Sequence, residues 1–268
     1  MIIEKKELQN NIQLCINSYK DEYGKFIRVL DREYNFIREH IEYQVGLKDN
    51  DTTLYVIFQG SSSWNDWKDN FKFWKINFLH HKEHNKKISP YFYLEYSEKV
   101  KIHQGVAEQY YLIQEDLLTF IDELIRQFPT INKIKITGHS LGGGLALLCW
   151  NDFKDQQKWN NRFKDFDISS MYFGALKIGN RHFIKELKSK GENCVDVIYR
   201  DDIVPKVPLW IMGYRRFGYK LIVFKKRPWW KNILLCYRKI TGTAFDHYPE
   251  KYKCAIDKLP EQISIKNF

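Results

Sequence analysis

Apolar positions along the chain fall into runs and rhythms that predict an ordered succession of strands and helices. Leu54-Tyr55-Val56-Ile57-Phe58 is a continuous apolar run that closes on Gln59-Gly60, the pattern of a strand buried on both faces and opening into a tight loop. From Gly105 to Phe128 the apolar period is helical, and Pro129 stops it. Ile134 to Thr137, Ser170 to Phe173 and Val195 to Tyr199 read as further strands, with helical runs over Leu145 to Trp150 and His182 to Lys188 between them. Strands alternating with helices predict a mostly parallel sheet covered by helices on both faces. Upstream, Ile27, Leu30, Tyr34, Ile37 and Ile41 recur at helical spacing, so residues 1–48 are expected to form an N-terminal flank of one or two amphipathic helices. Residues 68–100 are irregular and rich in aromatic and charged side chains, as an insertion would be. No repeat or linker divides the chain, and a single α/β domain spanning 1–268 is the expectation.

One predicted strand-to-helix turn carries chemistry. Gly138-His139-Ser140-Leu141-Gly142 follows the strand at Ile134–Thr137 and precedes a helix-compatible run, matching the G-x-S-x-G nucleophile elbow. Such a turn holds the serine in a strained backbone and needs small residues two positions away on either side. It also aims the serine oxygen clear of the sheet, at a helix N-terminus that favours developing negative charge. The Leu141 N–H would supply half of an oxyanion hole. Serine needs a base, and the base an orienting acid, in the chain order serine, acid, histidine for the α/β-hydrolase fold. Only His182 and His247 lie downstream of the elbow. His182 sits inside a predicted helix, whereas His247 follows a loop that could bring it back over the sheet. For the acid, Asp201 and Asp202 both follow the strand ending at Tyr199.

Composition adds a location for charge. The formal net charge is +10, with 43 basic and 33 acidic residues. Ten of the basic residues lie between Ile203 and Phe245, where there is no Asp or Glu, so the rest of the chain is formally neutral. Aromatic residues, Trp210, Tyr214, Phe217, Tyr219, Trp229, Trp230 and Tyr237, interleave with these cations. Such a mixture suits an anionic membrane surface, with Lys225, Lys226, Arg227, Trp229, Trp230 and Lys231 as the expected lipid-contacting stretch. Five scattered cysteines without a C-x-x-C pair read as reduced core thiols rather than a disulfide framework or zinc site. His80, His81 and His84 read as a solvated tract, so no metal is expected, and the chemistry requires no cofactor. There is neither a signal-peptide core near the N-terminus nor an apolar run long enough to span a bilayer; the chain reads as a cytoplasmic protein that is peripheral on membranes.

Beyond these local signals, the chain resembles the class 3 lipase family, which includes the fungal triacylglycerol lipases, from about Leu54 to Tyr252. Six ordered blocks carry the likeness: Phe58-Gln59-Gly60-Ser61-Ser62-Ser63 with Trp67; Ile102-His103-Gln104-Gly105-Val106; Gly138 to Ala146; Phe173 to Asn180; Asp202-Ile203-Val204-Pro205-Lys206-Val207-Pro208; and Asp246-His247 with Tyr252. The resemblance implies Ser140 as nucleophile, Asp202 as orienting acid, His247 as base, and Ser61 and Leu141 as the oxyanion-hole N–H donors. It also implies a lid after the Ser61 loop, in the position of residues 68–92, and a lipid or small ester as substrate. Three departures stand out: Gln59 where arginine is usual, Asn70 where aspartate is common, and Ala175-Leu176-Lys177 without the usual proline. The first two bear on the stiffness of the oxyanion loop. Two other readings fit the same residues: an esterase for soluble short-chain esters, and a non-catalytic protein using its basic face on membranes or nucleic acid. No recognised nucleic-acid motif accompanies those cations.

Overall fold

A computed structural model describes residues 1–20, 26–36, 39–48, 52–60, 75–77, 99–200, 202–224 and 247–267. The chain begins with strand β1 (Ile2–Glu4) and helix α1 (Lys5–Ser18). A long hairpin follows, β2 (Phe26–Phe36) and β3 (Glu39–Lys48), and then β4 (Thr53–Phe58) and β5 (Lys75–Asn77). The central run is β6 (Lys101–His103), α2 (Gln104–Gln127), β7 (Lys133–His139), α3 (Leu141–Trp159) and β8 (Asp167–Phe173). Next come β9 (Gly179–Asn180), α4 (Arg181–Ser189), β10 (Cys194–Tyr199), β11 (Tyr214–Arg215) and β12 (Tyr219–Val223). Helix α5 (Pro249–Ile256) and strands β13 (Gln262–Ser264) and β14 (Lys266–Asn267) complete the order.

Eight strands form the main sheet in the order β14-β12-β10-β8-β7-β4-β3-β2. The five central ones, β12, β10, β8, β7 and β4, are mutually parallel, and the outer strands pair antiparallel. A second, four-stranded sheet, β11-β9-β6-β5, lies apart from it. Alternation within the central strands sorts side chains to opposite faces. Leu54, Val56, Phe58, Ile134, Ile136, Ile168 and Tyr172 join the core beneath α2 and α3. Met171, Phe173, Val195, Val197 and Tyr199 join the core beneath α1 and α5. Every residue of β4 is buried, as its unbroken apolar run requires.

Two expectations are corrected. Among the described residues of the N-terminal flank, helix is confined to α1, where Leu8, Ile12, Cys15 and Ile16 make a buried stripe; residues 26–36 and 39–48 are strands. Period two wins there: Tyr43, Val45 and Leu47 alternate into the core, and β3 pairs with β4 from Tyr43↔Phe58 to Leu47↔Leu54. Helix-compatible spacing in a short window does not outweigh an available sheet edge. Of the cysteines, Cys15, Cys149 and Cys194 are buried free thiols, but Cys254 is exposed. Cys236 lies outside the described residues. Burial pushes the Cys15 thiol up to about 12, so it is chemically inert.

Candidate active site

Register brings the functional turns to one edge. Phe58 of β4 pairs with Gly138, His139 of β7 with Phe173, and Phe173 of β8 with Val197 of β10. The carboxyl ends of the parallel strands therefore lie side by side, the edge at which open α/β sheets bind ligands. Ser140 stands between β7 and α3 with φ 62° and ψ −124°, a left-handed conformation that costs a non-glycine residue about 1–3 kcal/mol. Its surroundings hold it there. The Ser140 N–H donates to the Phe173 carbonyl (2.9 Å) and the Gly143 N–H donates to the Ser140 carbonyl (3.1 Å). A methyl group at Gly142 would sit 2.7 Å from the Gln59 carbonyl oxygen, and one at Gly138 would sit 2.9 Å from the Gly143 nitrogen. The small residues of the elbow are thus demanded by backbone crossing backbone. Leu141 is the first residue of α3, so its N–H belongs to the set that an α-helix leaves without an internal partner.

Asp202 and His247 come together across 45 residues of chain. The Asp202 carboxylate is fully buried. Its Oδ1 accepts the Val204 N–H at 2.8 Å, and its Oδ2 accepts the Tyr252 hydroxyl at 2.6 Å and faces His247 Nδ1 at 2.7 Å. A carboxylate accepts, so this contact assigns the proton to Nδ1 and leaves Nε2 as the basic nitrogen. The His247 ring stacks on that of His139, centroids 4.6 Å apart and planes at 30°, which sets it beside the residue preceding Ser140. Gly174, at φ +59°, fits beneath: a methyl group there would approach the Tyr252 hydroxyl at 2.8 Å, Asp202 Oδ2 at 3.1 Å and His247 Cε1 at 3.2 Å.

Two neighbours carried no separate signal in the sequence. Tyr19, at the end of α1, bonds His139 Nδ1 through its hydroxyl (3.1 Å). Burial, with His247 as a secondary influence, holds the His139 imidazole well below its usual range, so it packs as a neutral ring. Tyr252 follows Asp246-His247 in the last of the six blocks, but nothing in the spacing indicates that its hydroxyl shares Asp202 Oδ2 with His247.

The other sequence-derived candidates divide clearly. Ser61 lies outside the described residues. Gly60, just before it, is at the elbow: a methyl there would be 2.6 Å from the His139 carbonyl oxygen and 3.0 Å from Ser140 Cβ. Asp201, Asn70, His80, His81, His84 and the proposed lipid-contacting residues Lys225, Lys226, Arg227, Trp229, Trp230 and Lys231 also lie outside the described residues, as does most of the 68–100 segment. His182 sits in the first turn of α4, where the Arg181 Nε–H donates to its Nε2 (3.3 Å), and it is not the imidazole that meets Asp202. Of the ten cations between Ile203 and Phe245, only Lys206, Arg215, Arg216 and Lys220 are among the described residues. Arg216 is turned inward, its guanidinium forked onto the Asp196 carboxylate (Nη2 to Oδ1, 2.6 Å) and donating to the carbonyls of Ala175 (3.0 Å) and Pro205 (2.6 Å). Tyr214 and Phe217 are also buried.

Sheet order and elbow together define the α/β-hydrolase fold. The family model described as Lipase (class 3) matches residues 55–212, more than half of the chain, and the chain belongs to that family. Among curated relatives, a lipase of Rhizomucor miehei is 27% identical over 188 residues, 70% of this chain and 46% of that protein. Phospholipase A1-Igamma2, chloroplastic, of Arabidopsis thaliana is 26% identical over 140 residues, 50% of this chain and 25% of that one. The chain thus spans less than half the length of these relatives. Among solved structures, Rhizomucor miehei triacylglyceride lipase superposes with a TM-score of 0.65 at 22% identity, covering 83% of each chain. Lipase II from Rhizopus niveus gives 0.66 at 20% identity, covering 85% of this chain and 84% of that one.

Proposed function

We propose that this protein is a serine carboxylic-ester hydrolase that cleaves acyl esters of glycerolipids through Ser140, Asp202 and His247. The observation that carries the reading is the buried Asp202–His247 pair, 2.7 Å apart and stacked on His139 next to the strained Ser140 elbow. Asp202 fixes the imidazole with its proton on Nδ1. Nε2 takes the Ser140 proton as Oγ attacks the ester carbonyl, and the carbonyl oxygen becomes an oxyanion received by the Leu141 and Ser61 N–H groups. Collapse of that intermediate breaks the C–O bond, and His247 returns the proton to the departing alcohol. Water, deprotonated by the same nitrogen, then releases the acid and restores Ser140. The printed names of the relatives, a fungal lipase and a plant phospholipase A1, support glycerolipid esters as the substrate class. The acid-free basic segment supports working at an anionic membrane surface, with Lys225 to Lys231 among the contacts.

A labelled fluorophosphonate tests the chemistry directly. The wild-type protein should be modified and Ser140→Ala should not, with hydrolysis of a soluble ester falling at least about 10⁴-fold in the variant. Labelling that persists in Ser140→Ala, or none in either protein, would rule out the assignment and favour a binding protein on this fold.

A further inference from the structure

Large apolar side chains are exposed in one concentrated place. Of twelve such residues among those described, four are consecutive, Leu209, Trp210, Ile211 and Met212, with Trp210 67% and Ile211 69% exposed. They form a 3₁₀ turn, Trp210–Met212, ended by Gly213 at φ +81°. Four adjacent apolar side chains turned outward from a folded surface mark an interaction site more often than they occur by chance.

The turn stands on a rigid base. On one side, the Lys177 ammonium donates to the carbonyls of Lys206 (2.5 Å) and Pro208 (2.9 Å), while the Lys177 N–H donates to Val207 (3.1 Å). On the other, Arg215 donates to the carbonyls of Trp210 and Tyr214 (2.9 Å each), and Tyr214 is buried. The loop that carries the turn starts just past the carboxyl end of β10, and Lys177 ties it to the loop that follows β8, so it begins on the edge that holds Ser140 and His247. Lys206 and Arg215 are exposed at its two feet, and no acidic residue occurs from Ile203 to Phe245.

We propose that the Leu209–Met212 turn inserts into an anionic phospholipid bilayer, with Lys206 and Arg215 on the headgroups, and so presents the active-site edge to the membrane. The inference rests on the glycerolipid-hydrolase reading and adds the element that docks it. Each part of the surface matches the partner. Tryptophan favours the bilayer interface, its neighbours bring apolar surface whose removal from water is favourable, and each nearby cation is attracted to anionic lipid. A second copy of the chain would bring the same cations against themselves.

Co-sedimentation of the full chain with vesicles tests this, using phosphatidylcholine alone and phosphatidylcholine mixed with phosphatidylserine. The wild-type protein should bind the mixed vesicles more tightly, and salt should weaken that binding. The double variant Trp210→Asp, Ile211→Asp should lose at least about tenfold in partition. Ile211→Ser, which removes apolar surface without adding charge, should lose a smaller factor at an unchanged melting temperature. Leu112→Asp, at an exposed apolar site on α2, should bind as wild type. Unchanged partition in both turn variants, an equal loss in Leu112→Asp, or equal and salt-insensitive binding to both vesicles would overturn the proposal. So would a concentration-dependent dimer that the turn variants abolish. Fluorophosphonate labelling of the wild-type protein separates the two readings: docking without labelling sinks the hydrolase, and labelling without docking sinks only this inference.

Discussion

Asp202 Oδ2 receives two donors, His247 Nδ1 and the Tyr252 hydroxyl, while Oδ1 takes the Val204 N–H. Hydrogen bonds to a buried carboxylate are worth about 1.5–3 kcal/mol each, so Tyr252 fixes where the negative charge sits relative to the imidazole. Tyr252→Phe keeps the ring and its packing against Phe173 and Tyr199 but removes that anchor. With a soluble short-chain ester, kcat/KM should fall about tenfold or more, mostly through kcat, because Tyr252 is fully buried beneath the Asp202–His247 pair. At this scale the sequence was informative about identity and silent about partners. The elbow pattern named Ser140 unaided, because backbone crowding admits few residues around it. The resemblance selected Asp202 over Asp201, and only folding could show Tyr19, Tyr252 and His139 converging from distant segments.

Among elements, the loops that leave β8 and β10 are tied by one inward-turned, partly buried cation. Arg216 joins Asp196 of β10 to the carbonyls of Ala175 and Pro205, one in the loop after Phe173 and the other just beyond Asp202. Burial pushes the Asp196 carboxyl up while Arg216 pulls it back, so removing the arginine strands a carboxylate in the core. Arg216→Ala should lower unfolding stability by about 3–5 kcal/mol, read from urea denaturation. Arg216→Lys should recover only part, because an ammonium cannot reproduce the planar fork. The sequence placed Arg216 in a surface cluster because counting charges says nothing of which way a side chain turns. It also took the β2–β3 hairpin for helix. There the alternation of Tyr43, Val45 and Leu47 was present, but it becomes decisive only when β4 offers an edge to pair with.

Across the whole molecule, buried imidazoles make the fold acid-sensitive. His103 is buried and caps α2, its Nδ1 accepting the Val106 N–H (3.4 Å), and burial lowers its pKa to about 4. A histidine depressed in the folded state contributes stability that is fully present above its unfolded value of about 6.5 and is lost as pH falls toward 4. Over that window His103 alone should cost about 3 kcal/mol, with His139 adding in the same direction. Urea midpoints measured between pH 7 and 4 should drop steadily, and His103→Asn should flatten part of the slope. The parallel core, its flanking helices and the elbow turn were legible because each rests on local periodicity or a short motif. The sheet's antiparallel margin was not, since its pairing is decided between segments.

The parallel register also gives the molecule a far side. Met1 shares a cleft of about 280 Å³ with Lys133, Asp167 and Asn193, residues at or next to the starts of β7, β8 and β10, whose other ends carry the elbow and the acid. Any fusion partner or surface tether joined ahead of Met1 would hang from the rear of the sheet, opposite the edge that carries Ser140 and Asp202.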